Sequence, residues 1–94
     1  MAFVRVPGRK PSPGRVVLFA LSTCGWCRRT RDLLDEMAVE YEYVEVDECD
    51  GDEREEITAM VRSLSPRGNY PVLQIGEDVI IGYDAEIIRK AIGA

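Results

Sequence analysis

Arg15-Val16-Val17-Leu18-Phe19-Ala20-Leu21, running directly into Ser22-Thr23-Cys24-Gly25-Trp26-Cys27, is the stretch whose reading decides the fold. From Val16 the run is short, apolar and β-branched at its start, the pattern of a buried strand. Beyond the cysteines, Leu33, Leu34 and Met37 recur at helical spacing behind Cys27 and Thr30, with charged residues between them. That spacing predicts an amphipathic helix over about residues 25–38. A strand that turns straight into a helix carries the two thiols on the turn. Cys24 then falls at the helix N-cap, facing unpaired backbone N–H groups and the positive end of the macrodipole, which favour thiolate over thiol. Cys27, one turn inside, is screened and placed to attack a mixed disulfide on Cys24 from within. Two thiols at this spacing can close a small disulfide and reopen it, so the pattern points to redox chemistry.

Length and composition bound the rest. A chain of 94 residues, 46% hydrophobic, fits one domain with one core. No apolar run approaches the roughly 20 residues of a membrane span, and Val16–Leu21 is too short and too late for a signal peptide, so a cytoplasmic protein without a membrane partner is expected. Three cysteines form an odd set, which argues against a structural disulfide framework and for a dithiol plus a spare, Cys49. The chain has no His, which removes Cys-His nucleophile pairs, imidazole bases and mixed Cys/His zinc sites. A closed zinc site fails on count, since Cys49 is the one further Cys or His.

Net charge is −5, yet Arg5, Arg9, Lys10 and Arg15 give the first 15 residues four positive charges and no acid, which leaves −9 for the remainder. Pro7, Pro11, Pro13 and two nearby glycines suggest that residues 1–14 form an extended, mobile basic arm, with the folded domain at 15–94. No aromatic stacking platform accompanies these charges, so a solvated tail is expected rather than a nucleic-acid contact. From Asp35 to Glu56 twelve acids face one base, Arg54, a run read either as plain solubility or as a docking face for a basic partner. Arg28, Arg29 and Arg31 read as a solvated helix face, with Arg28 placed to help the thiolate slightly.

Along the chain, Glu40–Val46 is rich in aromatic and β-branched residues and predicts a second strand. Gly51 and Asp52 open a helix to about Leu64, with Ile57, Met60, Val61 and Leu64 on its inner face and acids in its first turn. Ser65-Pro66-Arg67-Gly68-Asn69 ends it. Val72–Ile75 and Val79–Ile81, joined by Gly76-Glu77-Asp78, predict a hairpin, and Asp84 caps a last helix with Ile87, Ile88, Ala91 and Ile92 inward. The order is β-α-β-α-β-β-α, an α/β fold with a four-stranded mixed sheet flanked by helices and the dithiol at the carboxyl end of the first strand. Cys49, in an acidic loop whose carboxylates suppress its thiolate, is expected to be dispensable.

Three features in this order resemble the glutaredoxin family of the thioredoxin fold: Phe19 through Cys27, Tyr70-Pro71 before the third strand, and Gly82-Tyr83-Asp84 after the fourth. The resemblance covers about residues 15–93. It implies a thiol-disulfide oxidoreductase of protein or small-molecule disulfides, with Cys24 attacking, Cys27 resolving and Pro71 in the cis form. A cis X-Pro bond fixes a sharp turn and exposes the preceding backbone, so Tyr70 would hold an extended peptide or glutathione by main-chain bonds. Gly82, Tyr83 and Asp84 would offer backbone N–H groups to a carboxylate, Arg67 a cation, and the exposed Trp26 a partner contact. Leu21 stands where glutathione-using members carry a basic residue, and Ile81 where they carry the first Gly of a Gly-Gly-x-Asp pattern. These departures favour a thioredoxin reductase-like or ferredoxin-linked protein reductase over glutathione as electron donor. The resemblance implies a monomer without bound cofactor; its alternatives are a [2Fe–2S] cluster shared by two chains or a non-catalytic adaptor.

Overall fold

The computed structural model describes residues 3–10 and 14–93. In chain order the elements are β1 (Val4–Val6), β2 (Val16–Ala20), α1 (Gly25–Glu36), β3 (Tyr41–Glu45), a 3-10 turn at Val46–Glu48, α2 (Gly51–Leu64), β4 (Val72–Ile75), β5 (Asp78–Ile81) and α3 (Ala85–Ile92). They form one sheet in the order β1-β3-β2-β4-β5. Only β2 and β3 run parallel, joined through α1; the other neighbours are antiparallel. No helix among the described residues is long and apolar enough to cross a membrane.

All five residues of β2 are buried, because helices cover both faces of the central strand. The period-two alternation divides its side chains. Val16, Leu18 and Ala20 pack with Cys27, Leu33 and Leu34 of α1, Leu73 and Ile75 of β4, and Ile88 and Ile92 of α3. Val17 and Phe19 face the other way, onto Ile57 and Val61 of α2, with Val44, Val46, Cys49 and Val72. The dithiol therefore shares a core with α3, and Cys49 lies across the sheet from it.

The sheet has five strands where four were expected. The extra one comes from the segment read as a mobile arm, and for residues 3–10 that expectation is corrected. Val4, Arg5 and Val6 pair with Tyr43, Glu42 and Tyr41 at the edge of the sheet. Phe3 meets Phe19 edge-on at 6.1 Å between ring centroids, and Val6 packs on the α1/α3 core. The Arg9 and Lys10 N–H groups both donate to the Ala38 carbonyl, at 2.8 and 3.0 Å. Alternating Phe3, Arg5 and Val4, Val6 carried a strand signal, but a three-residue edge strand followed by Pro7-Gly8 reads as arm when the prolines and cations are weighed alone. Pro11 and Pro13 lie outside the described residues.

Gly8 fastens this segment. A Cβ there would come within 2.2 Å of the Val39 carbonyl carbon and 2.3 Å of the Glu40 nitrogen, both backbone atoms that cannot swing away. Gly8→Ala is therefore expected to loosen β1, with a loss of about 1–3 kcal/mol, the usual scale of overpacking, and faster tryptic cleavage after Arg5 and Arg9. Limited proteolysis beside a melting curve checks this; an unchanged cleavage rate would mean that the segment shifts without detaching.

Two other expectations are corrected. Met60 and Ile87, assigned to inner helix faces, are 50% and 51% exposed. Their neighbours Val61 and Ile88 take the buried positions, since an apolar pair i, i+1 spans 100° of the helix and only one member can face the sheet squarely.

Candidate functional site

β2 ends at Ala20, and the chain turns through Leu21, Ser22 and Thr23 into α1. The turn is closed by the Cys24 N–H, which donates to the Leu21 carbonyl at 3.2 Å. Cys24 is the N-cap of α1 in extended conformation, and its Sγ accepts the Cys27 N–H at 3.2 Å. A sulfur thus does the capping work usually done by a Ser or Asp oxygen. Cys24 is partly exposed and Cys27 is 2% exposed; both thiols are free. Burial, and then the hydrogen-bonded Cys24 sulfur, push the Cys27 thiol well above the ordinary range. The two cysteines are therefore chemically unequal, the outer one reachable and capping, the inner one held protonated by its surroundings.

Asp47, just past β3, holds the turn from below. Its carboxylate accepts the Ser22 N–H at 2.8 Å and a short bond from the Ser22 hydroxyl. These donors, the hydroxyl first, hold the Asp47 carboxyl below its usual range. The sign follows: the clamp stabilises the turn at neutral pH and is lost as pH falls through the lowered Asp47 pKa. Asp47→Asn keeps an acceptor for the N–H but loses the charge-assisted bond to the hydroxyl. It is expected to slow Cys24 alkylation severalfold, as should Ser22→Ala. Equal alkylation rates in all three proteins would show that the turn is rigid without the clamp. Asp47 was legible in sequence only as one acid among twelve.

The opposite wall is built from the start of β4 and the start of α3. Tyr70-Pro71 is cis. The ladder with β2 begins at Val72, opposite Phe19, which leaves the Tyr70 backbone outside the sheet. Upstream, the buried Ser65 hydroxyl accepts the Asn69 N–H at 3.2 Å and donates to the Asn69 carbonyl at 3.3 Å, tying the loop that presents Tyr70. Tyr70 packs against both cores; burial, and then the neighbouring Cys27 and Asp47, raise its phenol. The Gly82 N–H donates to the Pro71 carbonyl at 2.8 Å, which sets Gly82, Tyr83 and Asp84 beside Tyr70 and Pro71. Gly82 has φ +88, a left-handed conformation that suits a residue without Cβ. Asp84 caps α3, accepting the Ile87 N–H at 3.1 Å.

The two walls meet at Trp26, 59% exposed, whose ring stacks on Tyr83 at 5.7 Å and 19°. Arg29 lies over the other aromatic partner of that ladder, 5.5 Å from the Trp26 centroid. Of the residues singled out from sequence, Arg67 stands apart: exposed on the turn after α2, it takes no part, among the described residues, in the ion pairs or hydrogen bonds around the thiols. Cys49 is a core residue, its Sγ 3.6 Å from the Glu45 carbonyl, and burial leads the neighbouring acids in raising its thiol.

Residues 16–80 match the family model for glutaredoxin. Among solved structures the chain is similar to the glutaredoxin of Methanosarcina mazei, with a TM-score of 0.88 and 35% identity over 100% of this chain and 90% of that one. It is also similar to methanoredoxin of Methanosarcina acetivorans, with a TM-score of 0.82 and 34% identity over 86% of each chain. A glutaredoxin-like protein of the rubredoxin operon of Clostridium pasteurianum is 32% identical over 77 residues, 82% of this chain and 96% of that protein.

Proposed function

Because this chain belongs to the glutaredoxin family, we propose that it is a dithiol oxidoreductase that reduces disulfides of proteins or small molecules through Cys24 and Cys27. The observation that carries this reading is the inequality of the thiols: a reachable Cys24 sulfur accepting the Cys27 N–H, above a Cys27 that is 2% exposed. Nucleophile and resolving group need different exposure, and the helix start supplies it.

In the proposed reaction the Cys24 thiolate attacks one sulfur of the substrate disulfide and displaces the other as a thiolate. Cys27 then gives up its proton and attacks the Cys24 sulfur, releasing the second substrate thiolate. Two electrons have passed to the substrate, and Cys24 and Cys27 are joined as a disulfide. The raised pKa of Cys27 orders the steps, since it keeps the inner thiol from attacking first. Tyr70, with its backbone outside the sheet, would align an extended substrate beside Cys24 by strand addition. The start of α3, Gly82 through Asp84, would receive a carboxylate.

The cycle needs no bound cofactor; it needs an external reductant. For that role a protein reductase suits this chain better than glutathione. Leu21 brings no charge to the tripeptide, and Ile81, 46% exposed, adds bulk directly before Gly82. A missing exposed ion pair is worth up to about 1 kcal/mol, or about fivefold in binding. Steady-state turnover with glutathione and glutathione reductase is expected to be slow and nearly unsaturable. Efficient saturating turnover at millimolar glutathione would return the chain to glutathione-dependent chemistry.

A further inference from the structure

The charges on α1 are set against helix stability. Its first turn holds no acid, and every charge from Gly25 to Arg31 is positive: Arg28, Arg29 and Arg31. The other helices obey the dipole, with Asp52 and Glu53 in the first turn of α2 and Glu86 in that of α3. Departures from a local rule concentrate where function needs them. Arg28 and Arg29 are both exposed, and neither forms an ion pair among the described residues.

An open cleft of about 410 Å³ runs along this side of α1, lined by Arg28, Arg29, Tyr83 and Arg89. Two acids, Asp32 and Glu36, also line it, one and two turns further along the helix from Arg28, and Glu36 is already engaged by Arg89 at 3.6 Å. The end near the dithiol therefore holds the unpaired cations. Beside them Arg29 and the exposed Trp26 ring stand in cation–π geometry. Most of the acidic run lies elsewhere: Glu48 through Glu56 belong to the approach and first turns of α2, on the other face of the sheet, while the Asp47 carboxylate is taken up by Ser22.

We infer that this cleft docks an acidic segment flanking the substrate disulfide, with Asp or Glu side chains of the partner on Arg28 and Arg29 and its apolar atoms on Trp26. The inference rests on the dithiol reading and supplies its partner class, an acidic protein surface. It replaces the view of these arginines as a solvated face. Exposed charges of this kind set encounter and register more than tight affinity.

The sign of the effect makes the test decisive. A net charge of −5 would by itself favour basic substrates, whereas the cleft favours acidic ones. Disulfide-bridged peptides with one core and either Asp/Glu or Lys/Arg flanks are reduced by the full chain, and kcat/KM is compared at low salt and at about 0.5 M salt. The acidic peptide is expected to lead by about fivefold, the scale of one strong or two weaker exposed ion pairs, with the difference in KM and its disappearance at high salt. In Arg28→Glu/Arg29→Glu the order should invert, a ratio within one protein that does not depend on its overall activity. Equal or reversed preference in the wild type, or an order unchanged in the variant, overturns the docking inference. Reduction of neither peptide would instead sink the dithiol reading on which it rests.

Discussion

Replacing Cys24 with Ser is expected to abolish disulfide reduction, while Cys27→Ser retains the first attack and stalls as a mixed disulfide on Cys24. The two residues differ by three positions in sequence and by everything in environment. Cys24 Sγ caps the helix and reaches solvent; Cys27 is sealed among Leu18, Leu33, Leu34 and Ile88. A Ser at 24 still caps, so the fold should survive and the loss should be chemical. A Ser at 27 leaves the attacking sulfur intact but offers no thiol to release the partner. Mass spectrometry after reaction with an excess of a substrate disulfide checks both: one adduct on Cys24 in the Cys27→Ser protein and none in Cys24→Ser. An adduct on Cys27 in the wild type would reverse the assigned roles.

Ile88→Ala is expected to destabilise the protein by about 2–5 kcal/mol, the range for removing a buried aliphatic side chain, whereas Ile87→Ala should stay within about 0.5 kcal/mol. Ile88 is 0% exposed and packs with the same core that holds Cys27; Ile87 is 51% exposed. For a domain of this size each kcal/mol moves Tm by roughly 4–8 °C, so the first variant should melt roughly 8–40 °C lower and the second close to wild type. Ile88→Ala should also raise the alkylation rate of Cys27, because the cavity loosens its screen. Denaturant unfolding of both variants gives the comparison, and equal losses would contradict the assigned face of α3.

The strand–dithiol–helix unit was legible in sequence because its determinants are local. A β-branched apolar run, a helical period and two thiols at the junction need only their neighbours to be interpreted. The cap on α1, the hairpin Val72–Ile81 and the Asp84 cap followed in the same way, each set by residues a few positions apart. The resemblance to a family then supplied Tyr70-Pro71 and the Gly82 turn, which no periodicity would have tied to the thiols.

Other features came only from tertiary structure, because they depend on atoms distant in the chain. β1 is a strand only because β3 offers it an open edge and Gly8 lets the backbones touch; three residues have too little pattern to announce this. Ile87 and Ile88 are equivalent as composition, and the angle at which α3 meets the sheet chooses between them. Asp47 looks like solvated charge until the crossover from β2 through α1 to β3 brings it under Ser22, 25 positions away. The same crossover carries the acids from Glu48 to Glu56 away from the arginines of α1, so a net charge read from sequence misjudges the field at the dithiol. Sequence alone placed two thiols at a helix start, since thiols and helix starts are local properties; the fold decided what surrounds them, since burial and through-space charge are not.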